Sequence, residues 1–175
     1  MKRSFIRGIL HVAFFSAVLL CSPKISFSQE LISEPVLPLS LAQKAANAAR
    51  EKCEADGYKV SVAIVDSGGN LKTLVKSDGA GPHASDSSFK KAYTSMTLRR
   101  PSGEMSKLAE TTPTLKSLEK INDKVILLAG GFPIKAGNLT IGGIGVGGAP
   151  GGHLDEACAK EGLEAIKSST SKTEK

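Results

Sequence analysis

Tryptophan is absent from this 175-residue sequence, and aromatic residues of all kinds make up only 5% of it. A few large rings therefore cannot fill the core. With 18 glycines and many alanines, it has to be built by close approach of small side chains. Cysteine is scarce too, with three in all, and histidine also numbers three. Basic charge looks plentiful at first, with 23 Lys and Arg against 17 Asp and Glu and a net charge of +6. Four of those basic residues, Lys2, Arg3, Arg7 and Lys24, fall within the first 28 positions, which hold no acid. Beyond them, 19 basic and 17 acidic residues leave a net charge of +2. That near balance removes the basic footprint expected of a chain that binds nucleic acid.

Residues 1–28 have the pattern of an export signal. A basic start is followed by the almost uninterrupted apolar run from Ile9 to Leu20, too short to cross a bilayer comfortably. Pro23 and the small residues Ser26 and Ser28 then fit a cleavage site before Gln29. Cleavage there places the mature chain in the periplasm or outside the cell and leaves no membrane span. Lipoprotein processing at Cys21 is disfavoured because Leu20 stands where a small residue is wanted. What remains divides into an extended lead-in over 29–38, one domain over 39–167, and a low-complexity polar tail over 168–175 that is expected to be disordered. Cys53 and Cys158 are the cysteines left. An oxidising compartment invites a disulfide between them, but each also suits the apolar face of a helix, where a lone cysteine acts as a small hydrophobe.

Along the domain, Ser40 to Gln43 reads as a capping box. Ala42, Ala45, Ala46, Ala49 and Cys53 follow at helical spacing, up to a stop at Gly57. Residues 60–66 are β-branched and apolar, 67–70 are turn residues and 71–76 alternate, which predicts a hairpin with a central first strand. The glycines and proline of 77–88 predict a loop. Ser85 or Asp86 then caps a helix with Phe89, Ala92, Tyr93 and Met96 facing inward, ended by Pro101. A short helix from Ser102, a polar connection over 111–123, a buried strand over 124–131 and a Gly-rich last strand from Leu139 come next. A closing helix turns Leu154, Ala157, Cys158 and Ile166 inward, with Asp155 and Glu156 in its first turn, where the helix dipole favours negative charge. Two hairpins with helices between and around them give an α+β domain, an antiparallel sheet with flanking helices.

Gly143, Gly145 and Gly148 formally match a G-x-G-x-x-G nucleotide fingerprint. That motif requires a βαβ crossover and a further parallel strand after the glycines. Only 27 residues follow Gly148, enough for one helix and a tail. Glycines inside a strand instead mark a place where something approaches the backbone closely.

Four motifs in order, VSVAIVDSGGNL, DGAGPHASDSSFKKAYTS, LLAGGFPI and IGGIGVGGAPGGHLDEACAKEGL, resemble the GlcG/HbpS-like family of haem-binding or haem-degrading-domain proteins, itself related to the C-terminal domain of PduO-type corrinoid adenosyltransferases. The resemblance covers residues 39 to 166. It implies a roadblock/profilin-like α+β fold, assembly into a homo-oligomer and, as in several members, binding of haem. It also implies that Thr114, in a matching Pro-Thr-Leu stretch, lies near the haem iron.

Read as residues, His83 is one of two histidines left after signal removal, in a glycine-proline loop at the expected mouth of a pocket; a solvent-facing loop histidine is the plainer alternative. The candidate pocket is Asp78, Gly79, Gly81 and Pro82, with Phe89 and Tyr93 as apolar walls and Lys90 and Lys91, or Arg99 and Arg100, for the propionates. His153, at a helix start, is the weaker histidine. No C-x-x-C-H sequence exists for covalent haem attachment. Asp66, Asp78 and Asp86 have no metal-site spacing, and Ser, His and Asp are too scattered to nominate a hydrolytic triad. Three readings stand: an exported haem-binding protein for haem or iron handling or sensing; an enzyme or accessory domain acting on a small organic acid or corrinoid; and a ligand-free oligomeric assembly module.

Overall fold

The structure is a computed structural model that describes residues 33–171. The export signal at 1–28, the start of the lead-in and residues 172–175 of the tail lie outside the described residues. Among the described residues no helix is long and apolar enough to cross a membrane.

Helix α1 spans Leu39–Ala55 and strands β1 and β2 span Ser61–Asp66 and Leu71–Lys76. Helices α2 (His83–Leu98) and α3 (Ser102–Thr111) follow, then a 3-10 helix (Pro113–Lys120), strands β3 (Gly131–Ala136) and β4 (Leu139–Gly147), and helix α4 (Gly152–Thr170). The four strands form one antiparallel sheet in the order β2-β1-β4-β3. Helices α1 and α4 cover one face and α2 the other.

Strand alternation decides what each face carries. Val62 and Ile64 of β1, with Ile144 and Val146 of β4, enter the main core against α1 and α4. The opposite face presents Ser61, Ala63 and Val65, paired in register with Gly147, Gly145 and Gly143. These glycines answer the fingerprint question. A Cβ on Gly145 would run into the carbonyl of Ser88 and the backbone of Ala92, and one on Gly143 into the Ala92 carbonyl. Helix α2 therefore lies directly on the β4 backbone, an approach no larger residue permits. Gly162 does the same for the pair behind the sheet, where an added Cβ would stand 2.6 Å from the Ala45 carbonyl and 3.1 Å from the Ala49 methyl. The α1–α4 seam also holds a Cys53–Cys158 disulfide with a Cα–Cα distance of 5.5 Å.

Several local expectations are corrected. Helix α1 starts at Leu39 with Pro38 at its N-cap and no side-chain cap, so Ser40 forms no capping box. Helix α2 starts at His83, with Pro82 as its N-cap, ahead of Ser85 and Asp86. The polar connection after α3 contains the 3-10 helix. Residues 124–130 are not a strand, because their amides bond to side chains: Ile126 N–H donates to Thr94 Oγ1 (2.8 Å) and Leu127 N–H to Glu119 Oε1 (2.9 Å). The strand begins at Gly131 and includes Phe132 and Pro133; as an edge strand it tolerates the missing proline donor. Ala157 faces solvent while Asp155 is buried in its place, and α4 continues through Ser168 to Thr170, residues assigned above to the tail.

Candidate functional site

The N-terminal ends of α2 and α4 meet at a cleft of about 400 Å³, within the range of ~300–1,000 Å³ usual for small-molecule sites. His83, Ser87 and Lys91, successive turns along one side of α2, form one wall, and the glycine-rich residues 148–152 form the other. Leu128 and Ala129 give an apolar lip, Leu128 being 49% exposed. Neither helix has a side-chain N-cap. The positive ends of both helix dipoles therefore stand at the cleft, which favours an electron-rich ligand group.

A buried ion pair closes the floor. Lys91 is 5% exposed and Asp155 2%. Lys91 Nζ donates to Asp155 Oδ2 at 2.7 Å and to the Val146 carbonyl at 3.0 Å, while the Ala149 N–H donates to Asp155 Oδ1 at 3.1 Å. Burial pushes the Asp155 carboxyl above the ordinary carboxylate value. The charge and hydrogen bond of Lys91, the Ala149 N–H and the charge of His83 pull it back without cancelling the rise. Removing one partner of such a pair strands the other charge and costs about 3–5 kcal/mol.

His83 is exposed on the rim, and its imidazole has no hydrogen bond or ion pair among the described residues. A Cβ on Gly81 would stand 2.7 Å from its ring, so the ring rests over that glycine. His83 is the first residue of α2, whereas Asp78, Gly79, Gly81 and Pro82 form the turn before it and do not line the cleft. His153 is exposed at the start of α4, its ring over Gly151.

The remaining candidates are dispersed. Phe89 and Met96 pack on the other side of α2, against Ala63, Val65 and Ala92. Tyr93, 6.2 Å from Phe89 between ring centroids, accepts a hydrogen bond from Asn122 Nδ2 at 3.3 Å and has Lys124 5.5 Å from its ring. Helical geometry places Phe89 and Tyr93 away from the side that carries Ser87 and Lys91, so they are not walls of this cleft. Lys90 pairs at the surface with Asp86 at 3.2 Å and does not line the cleft, and Lys91 is committed to Asp155. Arg100 pairs with Glu104 at 2.7 Å. Arg99 lines a separate cavity of about 390 Å³ with Glu34, Asn138 and Leu139. That cavity lies at the far end of the 16-residue α2, roughly 24 Å along the axis by helical rise. It holds neither a histidine nor a buried ion pair, which makes the His83 cleft the better site. Thr114 is exposed in the 3-10 helix and lines neither cavity, so one chain does not bring it together with His83 in either.

Comparison with known proteins gives the geometry its context. The family model described as haem degrading protein HbpS-like matches residues 37–164. A crystal structure of a double mutant of HbpS from Streptomyces reticuli superposes with a TM-score of 0.74 at 40% identity, covering 83% of this chain and 97% of that one. A crystal structure of a PduOC–heme complex gives 0.70 at 26% identity, covering 75% and 96%. Protein GlcG of Escherichia coli is 29% identical over 118 residues, 63% of this chain and 81% of its own length. With the same antiparallel sheet, the same flanking helices and a family match across nearly the whole described domain, the chain belongs to the HbpS-like family of haem degrading proteins.

Proposed function

We propose that this protein binds haem at the cleft between α2 and α4. The observation that carries the reading is His83, an exposed imidazole that makes no hydrogen bond or ion pair among the described residues, on the rim of a slot lipped by Leu128 and Ala129. The family match and the similarity to a relative solved with heme support it. The residues present fit the group: a nitrogen ligand for iron, apolar edges for the macrocycle, and glycines that let a flat ligand approach the backbone. Bound there, haem supplies a redox-active, ligand-binding iron. His83 would hold the iron from the first turn of α2, the Leu128–Ala129 lip would exclude water from one edge, and the positive dipole ends of α2 and α4 would favour the carboxylates, Lys91 being committed to Asp155. A hemin titration of the mature protein tests this: a saturable Soret change at a fixed stoichiometry supports the reading, and linear, unsaturable uptake contradicts it.

The protein acts outside the cytoplasm as a homo-oligomer larger than a dimer, in haem or iron handling. The signal pattern of residues 1–28 and the Cys53–Cys158 bond support the compartment. Mature material beginning near Gln29 agrees with export, and intact Met1 on cytoplasmic protein contradicts it. A monomer mass by light scattering at micromolar concentration removes the oligomer.

A further inference from the structure

Lys91 and Asp155 lie 64 residues apart in sequence, yet their contact ties α2 to the first turn of α4 and to the residues at and just beyond the end of β4. Lys91 belongs to the helix that carries His83, two turns further on. Its ammonium reaches Asp155 in the first turn of α4 and the Val146 carbonyl near the end of β4. Asp155 in turn receives the Ala149 N–H, the second residue beyond β4. Gly130, at φ +126°, closes the other side: a Cβ there would stand 2.9 Å from both Lys91 Nζ and Asp155 Cβ.

From this geometry we infer that Lys91 and Asp155 are positioning residues of the ligand cleft: the pair clamps the glycine-rich wall at 148–152 to α2 and so fixes the width of the slot beside His83. The inference rests on the reading of this cleft as the haem site. Five consecutive residues, Gly148, Ala149, Pro150, Gly151 and Gly152, have little side chain with which to hold themselves in place. Apart from its ends, the segment is held by the Asp155 carboxylate on the Ala149 N–H, by the Gly151 carbonyl, which accepts from Leu154 and Asp155, and by the Ala149 methyl against the main core. A buried ion pair is also a poor choice for stability alone, because apolar residues of similar volume in the same place are often neutral or stabilising. The burial that raises the Asp155 carboxyl is the same cost seen from the carboxylate's side. What an apolar pair cannot supply is the acceptor for Ala149 and the donor for Val146.

The test is the double variant Lys91→Met/Asp155→Leu, with Asp155→Ala, which removes the acceptor of the Ala149 N–H, as a second variant should the first fail to fold. The expected result is a folded protein in which amide exchange within 149–152, read at Ala149, Gly151 and Gly152 because Pro150 has no N–H, quickens by about tenfold or more. Hemin affinity then falls by on the order of tenfold, with a displaced Soret maximum, although His83 is untouched. Unchanged exchange at 149–152 overturns the inference, as does quickened exchange with wild-type hemin affinity and spectrum. Should the wild type itself take up no hemin saturably, the haem reading fails by that measurement, and the exchange rates still decide whether the clamp exists.

Discussion

The Cys53–Cys158 bond sets the largest single stability effect expected in this fold. It joins α1 to α4 across 105 residues of chain, and both cysteines are fully buried. In the chain-entropy model, a cross-link that closes a loop of this length removes about 16 cal/mol/K from the unfolded ensemble, or about 4.8 kcal/mol at 25 °C. A domain of ordinary stability has only ~5–15 kcal/mol in total, so the loss consumes a third or more of it. The perturbation is Cys53→Ala with Cys158→Ala, which opens the loop and leaves only small voids beside Ala49 and Ala159. With a urea dependence of about 2 kcal/mol/M, the unfolding midpoint should fall by roughly 2 M, and m should rise as the unfolded chain expands. Equilibrium urea melts followed by far-UV circular dichroism measure both, and wild type in reductant should move towards the variant. A midpoint shift under about 0.5 M, or a wild type indifferent to reductant, would refute the reasoning, because a closed loop of this length cannot be opened so cheaply in that model.

Gly145→Ala should destabilise the fold by about 1–3 kcal/mol, since its methyl meets the backbone of Ser88 and Ala92, which no side-chain rotation relieves. Thermal melts should show a drop of several degrees, and an unchanged Tm would mean that α2 does not lie on β4 as described. The raised carboxyl of Asp155 carries a signed prediction. Its folded form holds a proton more tightly than the unfolded chain, whose Asp titrates near pH 3.9. The Asp155 contribution to stability is therefore fully present below about pH 3.9 and is lost as pH rises through the folded value. Stability of wild type relative to Asp155→Asn should accordingly decline as pH rises above about 4, and a difference that grows with pH would show that Lys91 outweighs burial.

What could be read from the sequence follows from how local the cause is. The alanine row of α1, the hairpin turn at 67–70 and the Gly-rich β4 all announce themselves within a few residues, and each is present. The strand expected over 124–131 failed because Val125 and Leu127 do point inward, as strand residues would. The amides of Ile126 and Leu127 are instead satisfied by the side chains of Thr94 and Glu119, partners that no local pattern reveals. Phe89 and Tyr93 fitted an inward helical row, and Phe89 does pack against the sheet, but that is the side away from His83. The Lys91–Asp155 pair was missed for the opposite reason. Asp155 in the first turn of α4 has a sufficient local explanation in the helix dipole, and nothing nearby signals a lysine 64 residues earlier. His83 was singled out by scarcity and by its glycine-proline loop, and the cleft beside it appears only once β4 and α4 bring residues 148–152 across from α2.

The most direct test of the central claim compares hemin binding to the mature wild type with binding to His83→Ala, Thr114→Ala and His153→Ala. Binding at the α2–α4 cleft predicts that His83→Ala loses on the order of tenfold in affinity, about 1.4 kcal/mol, or displaces the Soret maximum, while the other two variants match wild type. A wild-type spectrum and affinity for His83→Ala, with the loss falling on Thr114→Ala or on none of the three, would contradict it.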